Sequence, residues 1–184
     1  MSMQDLISAI LVKMDSCPKV KLAKLVLFVE REYFKKHLSS PTGTYYVKKA
    51  MGPVPANFDA ILDEGKDKLW SMEYAPMDGI SDWGSSQPTT HKYTAICAAS
   101  ISPELQEIVD IVIDRFGKYP GNKLSVLSHE LPAWLYAESG EPIFIEELAL
   151  DIDEQYWTFQ NIVAEMENGD NDSELQESLP SKLQ

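Results

Sequence analysis

Apolar residues in the first part of the chain recur at three- and four-residue steps, which is the spacing of one helical face. This pattern predicts a helix over residues 3–14 and a second from Pro18 to about His37. The most regular apolar stripe predicts another helix that begins at Ser102 and ends before Gly117. Further helices are expected after Pro55, from Asn122 to Leu131, after Pro132, and from Asp153 with Tyr156, Phe159, Ile162, Val163 and Met166 facing inward.

Alternating side chains predict strands at residues 44–51, 68–74 and 91–98, with a brief extended piece at 142–145. The segment Gly52-Pro53-Val54-Pro55 is interpreted as a rigid turn, because each proline fixes its own φ. The expected fold class is therefore α+β, a mostly helical single domain with a small antiparallel sheet of about three strands. The domain is expected over residues 1–167, and the acidic tail 168–184 is expected to be disordered.

Charge is distributed unevenly along the 184 residues, whose formal net charge is −13. Residues 1–50 hold nine Lys or Arg and four Asp or Glu, whereas the rest hold seven and 25. Such a chain repels nucleic acid and anionic membranes and attracts basic proteins, although acidity also serves solubility. No apolar run has membrane-spanning length and no signal peptide is indicated, so a cytoplasmic location is expected.

The motifs of catalytic and metal-binding proteins are missing from the sequence. There is no G-x-S-x-G, no glycine-rich phosphate loop, and His37, His91 and His129 do not have the spacing of metal ligands. The two cysteines, Cys17 and Cys97, are interpreted as reduced core thiols. These absences predict a protein that is not an enzyme and has no cofactor.

A nucleic-acid interface is the alternative for the second helix and the strand after it. Their basic side chains and interleaved aromatics are typical of such surfaces, namely Lys19, Lys21, Lys24, Arg31, Lys35 and Lys36 with Tyr33, Phe34, Tyr45 and Tyr46. The other interpretation is a solvated basic face above core aromatics. The acidic pI of about 4.6 favours the second interpretation, so no direct nucleic-acid contact is expected.

Two ordered blocks of the sequence carry a family resemblance. The first, residues 21–62, contains Lys24, Leu25, Phe28, Gly43, Gly52, Pro53 and Val54. The second, residues 124–143, contains Leu124, Ser125, His129, Pro132 and Trp134. Together they resemble the Panacea domain, also called the SocA-like antitoxin domain, whose members are mostly helical with a small sheet.

The resemblance implies an antitoxin that neutralises a cognate toxin by direct protein–protein binding. The acidic composition predicts that this toxin is basic or acts on RNA. A proteolytic adaptor, or a phage-borne inhibitor of a host defence toxin, is the alternative within the same family. From another class, a small hydrolase or nucleotide-processing enzyme would need convergent polar residues in one pocket.

The residues that carry the family resemblance are interpreted as structural residues rather than as a binding or catalytic site. Gly52, Pro53 and Val54 are expected at a strand-to-helix corner, Gly43 at positive φ, and Trp134 in the core with its N–H bonded. His129 is either a satisfied histidine that braces the Pro132 break or a partner contact. Candidate partner contacts lie in and beside the polar loop 75–90, namely Tyr74, Met77, Ile80 and Trp83, the last of which alternatively folds back onto the core.

Overall fold

The computed structural model describes residues 1–76 and 89–150, and residues Met1–Ala149 form one compact unit. The helices are α1 Met3–Val12, α2 Lys19–His37, α3 Phe58–Gly65, α4 Pro103–Phe116, α5 Gly121–His129, α6 Pro132–Tyr136 and α7 Ile145–Ala149. The strands are β1 Cys17–Pro18, β2 Tyr46–Lys49, β3 Gly52–Pro55, β4 Trp70–Pro76, β5 Thr89–Ala95 and β6 Pro142–Ile143. The predicted boundary at residue 167, the acidic tail, and the helix from Asp153 lie outside the described residues.

The strands form two antiparallel three-stranded sheets in this part of the chain. The first has the order β1-β5-β4 and the second β3-β2-β6. In the second sheet, Tyr46 of β2 lies opposite Pro55 on one side and Ile143 on the other. The predicted α+β class is confirmed, and β6 falls within the extended piece predicted at 142–145. The strands β1 and β3 were not indicated by the alternation, and the described residues contain two sheets where one was predicted.

The segment Gly52–Pro55 is strand β3 rather than the rigid turn that its prolines predicted. It pairs with β2 along its whole length, so the reversal of the chain falls at Ala50 and Met51. Proline lacks the N–H that a central strand needs, but β3 is an edge strand of its sheet. The prolines are therefore compatible with the pairing, because β3 has a neighbouring strand on one side only and needs no backbone donor on the other.

Helix α2 is the centre of the core. Most of its first three turns are fully buried, including Leu22, Leu25, Val26 and Val29. It packs against α1, α4, α5, α7 and both sheets, which explains why its apolar residues are not confined to one stripe. The predicted helix boundaries here and at α4 are close to those observed.

The caps account for where several helices begin. Ser102 caps α4 by accepting a hydrogen bond from the Leu105 N–H at 3.3 Å, as its position before Pro103 predicted. Helix α5 departs from its prediction, because it begins at Gly121 after Pro120 and not at a cap supplied by Asn122. The Asn122 side chain instead accepts from the Lys123 N–H at 2.7 Å.

The two cysteines differ in environment. Cys17 is buried, and burial raises the pKa of its thiol to about 12. Cys97 is exposed, so its prediction as a core thiol was wrong. It lies in a bend after β5, where the chain has left the sheet.

Candidate functional site

The residues of the two sequence blocks meet where α2, the β2–β3 hairpin and the α5–α6 corner are in contact. Lys24 is the central side chain: it is fully buried, and its Nζ donates to the Pro53 carbonyl oxygen at 2.5 Å. The prediction that Lys24 belongs to a solvated basic face was therefore wrong. Its ammonium group ties the central helix to the edge strand.

Gly52 permits the close approach of these elements. Its φ is +94°, a conformation that side chains rarely adopt, and a Cβ there would lie 2.2 Å from Ser128 Oγ and 2.8 Å from Lys24 Nζ. The hairpin thus rests directly on the polar atoms of α2 and α5. Only glycine satisfies both the backbone conformation and the available space.

Two serines of α5 complete this cluster. Ser125 Oγ donates to the Met51 carbonyl oxygen at 3.0 Å, and Ser128 Oγ donates to the Ser125 carbonyl oxygen at 2.8 Å. Both side chains are buried. Sequence reasoning matched Ser125 but missed Ser128, whose three-residue spacing from Ser125 places both on the face of α5 that also buries Leu124.

His129 and Trp134 contact the hairpin at its turn end, at Ala50 and Lys49. Their rings stack with centroids 4.0 Å apart and an angle of 11° between planes. Trp134 Nε1 donates to the Lys49 carbonyl oxygen at 3.3 Å, which supplies the partner that the sequence required, and Lys48 Nζ lies 4.6 Å from the Trp134 ring centroid. The indole is half-buried at the hairpin rather than deep in the core.

The imidazole of His129 is held in an environment that disfavours its charged form. Burial lowers its pKa, the nearby Lys24 and Lys48 lower it further, and a hydrogen bond to the Ala50 backbone opposes them. Its Nε2 atom is buried and has no hydrogen-bond partner among the described residues. The histidine is only partly satisfied, and its charged neighbours are lysines rather than carboxylates.

The remaining motif residues lie around this junction. Phe28 is buried and stacks on Phe116 at 4.7 Å between centroids. Gly43 has a φ of +71°, the positive value expected for it. Pro132 is buried in the first turn of α6, and Val54 of β3 is partly buried.

Burial of Lys24 predicts an unusual dependence of stability on pH. Burial lowers the pKa of Lys24 from 10.5 to about 7, so above pH 7 the unfolded chain binds a proton that the folded protein does not. The free energy of unfolding should therefore rise from pH 7 to 8.5, by at most about 1.4 kcal/mol per pH unit. Above that range the raised pKa values of Cys17, Tyr46 and Tyr93 reverse the trend.

Urea denaturation at half-unit steps of pH measures this slope. The variant Lys24→Met should lose it, whereas Lys68→Met, which changes an exposed lysine, should keep it. The other titrating groups are common to all three proteins, so the difference between slopes reports Lys24 alone. Equal slopes in Lys24→Met and the unchanged protein would contradict the assignment.

A second buried polar group, Glu30, lies six residues beyond Lys24 in α2, and sequence reasoning did not single it out. Glu30 is fully buried and accepts hydrogen bonds from Tyr46 Oη and Thr42 Oγ1, each at 2.5 Å, and from Ser40 Oγ at 3.3 Å. Burial raises the pKa of its carboxyl group, and these hydrogen bonds lower it by less. Glu30 thereby fixes the loop that leads into β2.

The basic side chains of α2 are occupied by contacts within the protein. Lys21 Nζ donates to the Gly117 carbonyl at 2.5 Å, and Arg31 Nε to the Leu148 carbonyl at 2.9 Å. Lys19 and Lys36 form ion pairs with acidic side chains of α3 and α4. Of the four aromatics, Tyr46 is fully buried, Tyr33 and Phe34 are partly buried, and Tyr45 is exposed. Within the described residues, one exposed ring beside cations that are engaged inside the protein gives little support to a nucleic-acid interface.

Of the predicted partner contacts, only Tyr74 falls within the described residues, because Met77, Ile80 and Trp83 lie outside them. Tyr74 stands on β4, an edge strand of the first sheet, and is 70% exposed. Its ring meets His91 of β5 edge-on, with centroids 4.7 Å apart. The structure thus leaves Tyr74 accessible and does not bring it to the Lys24 junction.

No group of three or more His, Cys, Asp or Glu side chains in ranges 1–76 and 89–150 is arranged to hold a metal ion. No helix in the same ranges is long and apolar enough to cross a membrane.

The residues of the junction, from Lys24 to Trp134, all lie within a match to a known family. A sequence model of the family described as "Antitoxin SocA-like, Panacea domain" matches residues 22–135, which is more than half of the chain. The chain belongs to the Panacea-domain family. Comparisons with curated proteins and with solved structures gave no match. The Panacea match begins in α2 and ends in α6, so it spans the central helix, the hairpin and the α5–α6 corner.

Proposed function

We propose that the chain is an antitoxin that neutralises a cognate toxin by binding it directly, without catalysis. Membership of the Panacea-domain family is the observation that carries this proposal. The partner is a basic protein, or one that acts on RNA, because a net charge of −13 favours association with a positively charged surface. A cytoplasmic partner and location are part of the same proposal.

The burial of the junction supports a binding role over a hydrolytic one. Its polar side chains Lys24, Ser125 and Ser128 are at most 3% exposed, so a substrate has no access to them. An enzyme needs reactive groups that converge on an open pocket. The polar groups of the junction act instead between elements of the fold, which leaves the outer surface for function.

Expression of the chain together with the product of the neighbouring gene tests the proposal. We expect that product alone to arrest growth and the chain to restore it, with the two purified proteins forming a complex of fixed stoichiometry in light scattering. An unrelated protein of equal size and charge controls for acidity. Persistent arrest and no complex would refute the proposal, and loss of the toxin during rescue would indicate delivery to a protease instead of blocking.

A further inference from the structure

The outer surface of the second sheet is apolar although it faces solvent. The inner side of this sheet is made of Tyr46, Pro55 and Ile143, which are buried. Since strand side chains alternate, their neighbours point outward. We name the outward neighbours along β2 and β6 the β2 face, and they are Tyr45, Val47, Pro142 and Phe144.

The β2 face contains two exposed aromatic rings, each directly next to the end of a paired strand. Tyr45 and Phe144 are 43% and 54% exposed, and their ring centroids are 6.3 Å apart. The Phe144 N–H donates to Glu147 Oε2 at 2.8 Å, which fixes the backbone behind the ring. Aromatic anchors on a rigid backbone lose little entropy on binding, and such residues dominate the energy of protein interfaces.

A shallow groove extends the β2 face at Tyr45. It has a volume of about 430 Å³, and its lining includes Ala56, Ile61 and Glu64. The surface therefore combines two projecting rings with a neighbouring concavity. A protein partner of complementary shape can fill the groove while it covers the rings.

The charges around the β2 face select between possible occupants. Glu64 lines the groove at Tyr45 and the exposed Glu146 follows Phe144, whereas the exposed Lys49 lies at the other end of β2, next to the segment that contains Glu141. A second copy of the chain would bring the same acidic rim and a further net charge of −13. Like charges at an interface cost affinity, so a basic protein fits this surface better than a second copy does.

We infer that the β2 face is the surface by which the chain docks the basic protein that it neutralises. This inference rests on the proposed function and adds the location and the chemistry of the contact. It differs from a contact at Tyr74, which lies on the other sheet.

Binding of the purified neighbouring-gene product to variants of the chain tests this location. Phe144→Ala should raise the dissociation constant by about 30-fold or more, the loss typical of a central aromatic anchor. Ile111→Ala is the matched control, because Ile111 is 53% exposed on α4 and lies off the β2 face. Tyr74→Ala reports on the alternative surface, and circular dichroism verifies that each variant is folded.

Charge reversal supplies a second readout. Glu146→Lys should slow association several-fold at low salt, and the difference should shrink as salt is raised. Asp114→Lys makes the same change of charge on α4 and should have a smaller effect, since α4 packs on α1 and α2. Equal effects of the two reversals would mean that only the overall charge matters, and would remove the support for an acidic rim at this face.

The outcomes separate the inference from the function on which it rests. If the unchanged chain binds but Phe144→Ala binds equally well, or only Tyr74→Ala weakens binding, the location is wrong and the neutralising function stands. If the unchanged chain is a dimer that Phe144→Ala dissociates, a second copy is the occupant and the inference fails. If the unchanged chain does not bind at all, the proposed function and the inference fall together.

Discussion

Replacing Gly52 with alanine should destabilise the protein by about 3 kcal/mol. The new Cβ would meet Ser128 Oγ at 2.2 Å in a fully buried site, and overpacking of this kind costs about 1–3 kcal/mol. The positive φ of +94° adds backbone strain of about 1 kcal/mol. Chemical denaturation followed by tryptophan fluorescence measures the loss, and a lower midpoint with an unchanged slope is expected.

Two companion variants identify the cause of that loss. Gly43→Ala places a side chain at a similar φ of +71°, but in open space, so it should cost only about 1 kcal/mol of strain. Removing the Ser128 hydroxyl relieves the contact, so Gly52→Ala should cost about 1–2 kcal/mol less in a Ser128→Ala background. If the cost is the same with and without that hydroxyl, the contact with Ser128 is not the reason for this glycine.

The sequence pattern predicted most helices of this fold because their local signals agree with their packing. Helix α4 has a cap at Ser102, a single apolar stripe and a stop at Gly117, and it forms as predicted. The strand β3 could not be predicted in the same way. Its prolines indicate a turn locally, and only the position of β3 at the edge of a sheet, a property of the tertiary structure, makes them compatible with pairing.

The candidate site shows the same division between local and tertiary information. The family resemblance pointed to Lys24, Gly52 and Trp134, and the structure brings these residues to one junction. Charge patterning nevertheless placed Lys24 in solvent, because a lysine on a basic helix is usually solvated. Its burial depends on the carbonyl of Pro53, 29 positions away in the sequence, and no local pattern encodes that partner.

Removing the Glu30 side chain should cause the second large loss of stability. Glu30→Ala removes the acceptor of three hydroxyl groups, and of these Tyr46 Oη has no route to water because Tyr46 is fully buried. An unpaired buried hydroxyl and the cavity left by the side chain together cost about 3 kcal/mol. Glu30→Gln keeps the volume and one acceptor oxygen, so it should cost about 1 kcal/mol. Urea denaturation at pH 7 compares the two.

A double-mutant cycle with Tyr46 separates the lost hydrogen bond from the lost packing. In the unchanged protein, Tyr46→Phe should destabilise by about 1–2 kcal/mol, since the Glu30 carboxyl loses its bond at 2.5 Å. In the Glu30→Ala background the same change should be neutral or stabilising, because it removes a hydroxyl that has nothing left to donate to. Additive effects would mean that Glu30 acts through packing alone. Coupling between the two changes would mean that the Glu30 carboxylate stabilises the β2–β3 hairpin through its hydrogen bond to Tyr46. Because Tyr45 is the next residue to Tyr46, the same bond would then also help to position the β2 face.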